Sequence, residues 1–279
     1  MKGLISGIKR MEIHDGDGLR STVFFKGCPL KCIWCHNPES ICFAPQTARF
    51  TAKCMGCGAC GGENSAATAE NCPTGALVHY GKAYEAEDLA ELLAADKPFF
   101  DSSGGGVTLS GGECLAQPEF AAELARLLRE RGIGVYIDTC GFVSRGALEG
   151  VIPYTDVFLY DIKAMDPEVH RACTGQDNRL ILENLRYLSE RGCEIEIRYP
   201  LVVGCNDDQC EKIGAFLREL NGIRKVKVLR YHDLAASRYE ALGMENTLPA
   251  PRTEPADVQQ AVEILRRYGL NAVDGTQED

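Results

Sequence analysis

Six short runs of β-branched, aromatic and aliphatic residues punctuate the chain, each too short and too apolar for a helix: residues 21–25, 107–110, 133–138, 157–162, 194–199 and 226–231. Between or after them, apolar positions recur at helical spacing. Phe120, Leu124, Leu127 and Leu128 follow a Pro118 suited to a first helical turn; the other sets are Ile181, Leu185 and Leu188, then Ile213, Phe216, Leu217 and Leu220, then Val258, Val262 and Leu265. Such alternation predicts parallel strands with right-handed helical crossovers, hence an α/β doubly wound sheet or a barrel, complete or partial.

The ends of the runs carry the most distinctive polar residues: Gly27-Cys28, Gly111-Gly112-Glu113, Asp138-Thr139, Asp161 with Lys163, Arg198, and His232. A barrel-type fold builds its active site at the C-terminal ends of its strands, so six such termini would meet at one mouth. Any one of them could simply end a strand; six in register favour a site.

From about residue 40 to 86 the alternation stops. Cys54, Cys57, Cys60 and Cys72-Pro73 stand there among Gly, Ala, Asn and Thr, with little apolar mass to fold unaided. A bound metal cluster would supply the missing stabilisation, so residues 41–86 read as an inserted small domain within a barrel formed by residues 1–40 and 87–279.

Charge and composition narrow the function. With 30 Lys and Arg against 40 Asp and Glu the formal charge is −10, which argues against a nucleic-acid partner. No run reaches the roughly 18 apolar residues of a membrane span, and the first residues lack the apolar run of a secretion signal, so a cytoplasmic protein is expected. In that reducing setting fourteen cysteines are better explained as metal ligands or buried thiols than as disulfides. Eight of the fourteen lie between Cys28 and Cys72.

The first group is Cys28-Pro29-Leu30-Lys31-Cys32-Ile33-Trp34-Cys35. A cubane cluster used for electron transfer takes four thiolates, so a three-cysteine site leaves one iron open to a ligand, as an open zinc site does in catalysis. Zinc completed by His36, or mere packing, are the other readings. This spacing resembles the cluster loop of the radical S-adenosylmethionine superfamily. Residues 16–20 (GDGLR), 24–28 (FFKGC) and 34–39 (WCHNPE) further resemble the first signature of its glycyl-radical enzyme activating enzymes. Residues 103–113 (SGGGVTLSGGE) and 138–142 (DTCGF) resemble the second and third, and 160–163 (YDIK) and 230–232 (RYH) complete the order.

That resemblance implies a partial (β/α)6 TIM-type barrel in which Cys28, Cys32 and Cys35 hold a catalytic four-iron four-sulfur cluster whose open iron chelates S-adenosylmethionine. It implies Gly112 and Glu113 beside the methionine amino group, Lys163 and His232 near the carboxylate and ribose, and Trp34 with His36 against the adenine. Asp138, Asp161 and Arg198 join the cofactor-binding set. Asp138, Thr139, Tyr160 and Asp161 match positions that hold a monovalent cation in some relatives; the two aspartates could equally cap helices or pair with Lys163.

The second group resembles a bacterial ferredoxin motif, with Cys72-Pro73-Thr74-Gly75-Ala76-Leu77 as its tail. Eleven residues replace the usual three before the last cysteine. One auxiliary four-iron four-sulfur cluster on Cys54, Cys57, Cys60 and Cys72 is expected, with zinc on the same thiols as the rival. Cys42 is left over, either a free thiol or a substitute for one ligand. The function implied is reductive cleavage of S-adenosylmethionine to a 5′-deoxyadenosyl radical, which removes a hydrogen atom from a glycine of a partner glycyl-radical enzyme. A flavodoxin or ferredoxin would supply the electron and the chain would be a monomer. The competing readings are a radical enzyme acting on a small molecule and a non-catalytic electron carrier.

Overall fold

The computed structural model describes residues 1–60 and 69–276. In chain order the strands are β1 (Lys2–Glu12), β2 (Arg20–Phe25), β3 (Gln46–Arg49), β4 (Leu77–Tyr80), β5 (Lys82–Glu85), β6 (Gly106–Gly111), β7 (Gly134–Thr139), β8 (Val157–Asp161), β9 (Ile195–Leu201), β10 (Ile223–Arg230) and β11 (Ala272–Asp274). The helices are α1 (Ala86–Ala94), α2 (Lys97–Ser103), α3 (Pro118–Glu130), α4 (Arg145–Val151), α5 (Pro167–Thr174), α6 (Arg179–Glu190), α7 (Cys210–Leu217), α8 (Ala236–Ala241) and α9 (Pro255–Arg267).

Among the described residues nine strands form one sheet in the order β11-β10-β9-β8-β7-β6-β2-β1-β5. From β2 to β11 every pairing is parallel and in sequence order, which is the connectivity of a barrel left open between its edges. The six predicted strands are β2 and β6 to β10, and the four predicted helices are α3, α6, α7 and α9. Strand β1 was not anticipated: Lys2–Glu12 mixes polar and apolar residues because it pairs antiparallel with both β2 and β5 at the sheet margin and is only half covered.

Side-chain parity organises the barrel. Val107 and Leu109, Val135 and Ile137, Phe158 and Tyr160, Ile195, Ile197 and Tyr199, and Val226 and Val228 enter the main core with Leu124, Leu128, Leu185, Leu188, Leu217 and Leu265 of the helices. The alternate positions Thr108, Ser110, Asp138, Asp161 and Arg198 take the other face and carry the polar groups.

Within the 41–86 segment, β3 and β4 form a separate antiparallel pair, with Gln46 opposite Tyr80 and Arg49 opposite Leu77. Strand β5 instead completes the main sheet against β1. The part standing apart from the barrel thus ends at Tyr80, and residues 61–68 of the expected insert lie outside the described residues.

Candidate active site

The far end of the barrel is closed by the Gly16–Arg20 segment. Arg20 is buried, donates to Thr108 Oγ1 at 2.7 Å and to the Val107 carbonyl at 2.8 Å, and stacks 3.7 Å over the Tyr136 ring. Tyr136 in turn donates to Asp17 at 2.9 Å. Burial lowers the Arg20 pKa to about 10 against these anionic neighbours, and the residue forms the floor of the barrel.

At the opposite end, a cavity of about 270 Å³ is lined by Cys28, Cys32, Cys35, Trp34, His36, Gly112, Asp138, Thr139, Cys140, Asp161, Lys163 and Arg198, among others. The three loop cysteines therefore meet the ends of β6 to β9 as expected. The cysteine loop is pinned by its backbone: the Cys28 amide donates to Ile41, Lys31 to Thr174 and Ile33 to Cys173, at 2.8 to 3.1 Å. Trp34 is 5% exposed and packs with Cys173, Val202 and Tyr231. Desolvation raises the pKa of the half-buried Cys35 to about 12, so a metal that binds it must displace its proton.

Charged groups meet at the mouth of the lumen. Lys163 Nζ lies 2.6 Å from Asp161, and Arg198 reaches Asp15 at 3.4 Å and Asp138 at 3.5 Å. Burial works against both cations, yet the surrounding carboxylates hold the pKa of each above its ordinary value. Burial pushes the Asp138 carboxyl up, to about 6, with Asp161 and Asp15 adding and Arg198 opposing. Asp138 and Asp161 line the cavity beside Lys163, Arg198 and Arg230, and the buried Arg198 Nε has no partner.

Three expected site residues sit elsewhere. Glu113 is fully buried and does not line the cavity. Its carboxylate accepts from Leu115 N (3.0 Å), Thr139 Oγ1 (2.9 Å) and Cys140 N (2.8 Å), while its own amide donates to the Gly27 carbonyl at 2.8 Å. It ties the ends of β2, β6 and β7 together. Tyr160 points into the helix layer, where its hydroxyl donates to the Ile181 carbonyl of α6 at 2.7 Å, so its side chain is turned away from any cation at the mouth. Adjacent strand residues face opposite ways, so Tyr160 and Asp161 could not both enter the lumen. His232 lies outside the cavity lining, stacked on His36 with ring centroids 4.2 Å apart. His36 Nε2 meets the His232 carbonyl at 2.8 Å, so that nitrogen carries the proton, and burial lowers both histidine pKa values.

Other contributors had no signal in the sequence. Arg238 of α8 donates to the His36 carbonyl, Asn37 Oδ1 and Glu39 at 3.0 to 3.1 Å, and Tyr239 donates to the Cys35 carbonyl at 3.0 Å. Asp15 stands beside the Gly16–Arg20 motif without belonging to it. In the insert, Arg49 donates to Cys54 Sγ at 3.7 Å, and Cys57 and Cys60 lie within its electrostatic reach. Backbone N–H groups of Leu77, Thr74 and Ala76 lower the Cys72 pKa to about 7, a cradle suited to a thiolate ligand. Among the described residues no three His, Cys, Asp or Glu side chains stand close enough to share one metal ion; a cluster spaces its ligands more widely, with sulfides between.

The comparisons with known proteins agree with this geometry. Residues 22–217 match the radical SAM superfamily model. The chain is 39% identical to the trans-4-hydroxy-L-proline dehydratase activating enzyme of Clostridioides difficile, over 87% of this chain and 88% of that protein. This chain belongs to the glycyl-radical enzyme activating enzymes. It is also 37% identical to the pyruvate formate-lyase 2-activating enzyme of Escherichia coli, over 97% and 92% of the two chains. It is 35% identical to the choline trimethylamine-lyase activating enzyme of Oleidesulfovibrio alaskensis, over 96% of each. A domain of the pyruvate-formate lyase-activating enzyme of Bacteroides vulgatus superposes with a TM-score of 0.53 at 30% identity, covering 61% of this chain and 99% of that one. QueE of Escherichia coli shares the fold, with a TM-score of 0.54 at 13% identity over 98% and 93% of the two chains. Among the described residues no helix is long and apolar enough to cross a membrane.

Proposed function

We propose that this activating enzyme holds a four-iron four-sulfur cluster on Cys28, Cys32 and Cys35, and that S-adenosylmethionine fills the cavity beside it. The observation that carries the reading is the meeting of those three thiols with Trp34, His36, Gly112, Lys163 and Arg198 around one cavity. When bound, cluster and cofactor supply reductive cleavage to methionine and a 5′-deoxyadenosyl radical, which abstracts a hydrogen atom from a glycine of the partner glycyl-radical enzyme. Trp34 and His36 offer aromatic faces for adenine and sulfonium. Lys163 offers a point charge to the methionine carboxylate. The Asp138 and Asp161 carboxylates in the lining favour the sulfonium and, with Thr139, a monovalent cation beside them. Glu113 acts by fixing Gly112 and the Thr139–Cys140 turn.

The partner in this reading presents a glycine loop to the open mouth, and a flavodoxin or ferredoxin delivers the electron to a monomeric, cytoplasmic protein. The insert holds an auxiliary four-iron four-sulfur cluster on Cys54, Cys57, Cys60 and Cys72, supported by the thiolate cradle at Cys72. The test is anaerobic reconstitution, reduction, addition of S-adenosylmethionine, and quantification of 5′-deoxyadenosine and iron. Wild type should form 5′-deoxyadenosine, and the Cys28→Ala, Cys32→Ala, Cys35→Ala variant should not. Replacing the four insert cysteines by serine should remove about four iron atoms per chain, the content of one cluster. Absence of product from a wild type that has bound iron would leave an electron carrier as the better account.

A further inference from the structure

The part of the chain that stands apart from the barrel hangs on a narrow base. It enters β3 at Pro45-Gln46 and leaves β4 at Tyr80-Gly81, with Gln46 opposite Tyr80 in the strand pair. Above that base a cavity of about 380 Å³ separates Phe50, Lys53 and Val78 of the insert from Lys9 and Phe24 of the barrel. The insert also meets α8, where Thr51 donates to Glu240 at 3.1 Å in an exposed contact. The base itself closes on Lys26, which follows β2 and is 1% exposed. Its backbone belongs to the barrel: the amide donates to the Leu4 carbonyl at 2.9 Å and the carbonyl accepts from Gln117 at 3.0 Å. Its side chain reaches the insert, where Nζ donates to Gln46 Oε1 at 2.9 Å, and it donates also to the Glu39 carbonyl at 2.6 Å. A Cβ placed on Gly81, whose φ is +109°, would lie 3.1 Å from Lys26 Cδ and 2.9 Å from Pro45 Cα. One buried side chain thus touches both the way into the insert and the way out.

We infer that Lys26 is a positioning residue that fixes the orientation of the insert on the barrel through its bond to Gln46. Burying an ammonium is unfavourable unless its donors are met, so a lysine kept at this place serves a directional bond and not packing alone. Orientation matters because Cys57 is exposed: a macromolecule that meets the cysteine edge of the insert is turned toward the barrel at an angle the base sets. The catalytic loop is held independently, by the Gly27 amide on Ser40, the Cys28 amide on Ile41, and the Lys31 and Ile33 amides on α5. Freeing the insert therefore leaves the mouth of the barrel in place.

The experiment is anaerobic hydrogen–deuterium exchange of the full reconstituted chain in wild type, Lys26→Met, Gln46→Ala and the double variant. Methionine keeps the stem and removes the donor, and Gln46→Ala tests the same bond from its less buried end should Lys26→Met fail to fold. A hydrogen bond from a charged group shifts an equilibrium by about tenfold. Amides of the base, residues 40–46 and 80–82, should therefore exchange about tenfold faster in each single variant, and no faster in the double one, because the two side chains act through one bond. Exchange in β6 to β9 should keep its wild-type rate. In parallel, the relaxation of the catalytic cluster's EPR signal by the second cluster, which depends steeply on their separation, should spread from one value to many in Lys26→Met; a residue that only added stability would leave it unmoved. Unchanged exchange at the base, an equal rise across β6 to β9, additive effects of the two substitutions, or unchanged relaxation between two loaded clusters would overturn the inference. The relaxation measurement rests on the reading that both cysteine groups hold clusters, and the exchange measurement does not. If the variant with serine at the four insert cysteines relaxes the catalytic signal as wild type does, the auxiliary cluster is what fails, and exchange alone decides on Lys26.

Discussion

Replacing Glu113 by glutamine preserves volume but turns one acceptor oxygen into an N–H donor at a position surrounded by donors. The wild-type carboxylate accepts from the Leu115 amide on one oxygen, the Cys140 amide on the other, and the Thr139 hydroxyl across both. A glutamine oxygen can serve one of the two amides, so its nitrogen must face the other, leaving a buried N–H without a partner. That costs about 1–3 kcal/mol. Burial raises the Glu113 pKa even against these donors, so removing the charge returns part of the loss. A net destabilisation of about 2 kcal/mol should lower the melting temperature by about 4–8 °C for a chain of this size. The assay is thermal unfolding of the metal-free, reduced protein, where no cluster or cofactor contributes. Glu123→Gln is the control: Glu123 is a partly exposed residue of α3 paired with Arg126, and its loss should move the transition by less than about 1 °C. A Glu113→Gln transition within 1 °C of wild type, or above it, would refute the structural role. Glu113 would then be better placed as a cofactor contact, as the family resemblance implies.

Two further outcomes follow from the lumen and from α8. The Asp138 pKa is raised to about 6 from an ordinary 3.8, so its contribution to stability is full at low pH and is lost as pH rises through about 6. Asp138→Asn should therefore shrink the difference between stability at pH 5 and at pH 8 by roughly 1 kcal/mol, read from melting curves; an unchanged difference would count against the shift. Arg238→Ala leaves the buried Glu39 carboxylate without its ion-pair partner and should lower stability by about 1–2 kcal/mol, discounted for the exposure of Arg238. Adding Glu39→Gln should restore about half of that in denaturant titrations, whereas strictly additive losses would show that the two side chains do not interact.

Much of the barrel was legible because its signals are local. A β-branched run, a helical repeat and a polar terminus each report on their own neighbourhood, and parallel order follows from connection length alone. The same holds for Cys28, Cys32 and Cys35, whose spacing lies within one loop. Orientation and partnership were not local. Glu113 and Lys163 both read as charged residues at strand ends, yet Lys163 faces the cavity while the Glu113 carboxylate is claimed by the Leu115 amide and by the Thr139 hydroxyl and Cys140 amide at the end of β7. Tyr160 and Asp161 are neighbours in sequence, and only the packing of α6 against β8 fixes which of them meets the lumen.

Arg238 lies two hundred residues from the His36–Glu39 turn it holds, and Asp15 meets Arg198 across the barrel, contacts that leave no trace in spacing or period. The sequence by itself determined the elements, their order and the triad of thiols, since those depend on side-chain type and short separation. Tertiary structure decided which polar groups face one another, because hydrogen bonds and ion pairs at 3 Å between distant residues form only when the whole sheet has closed around them.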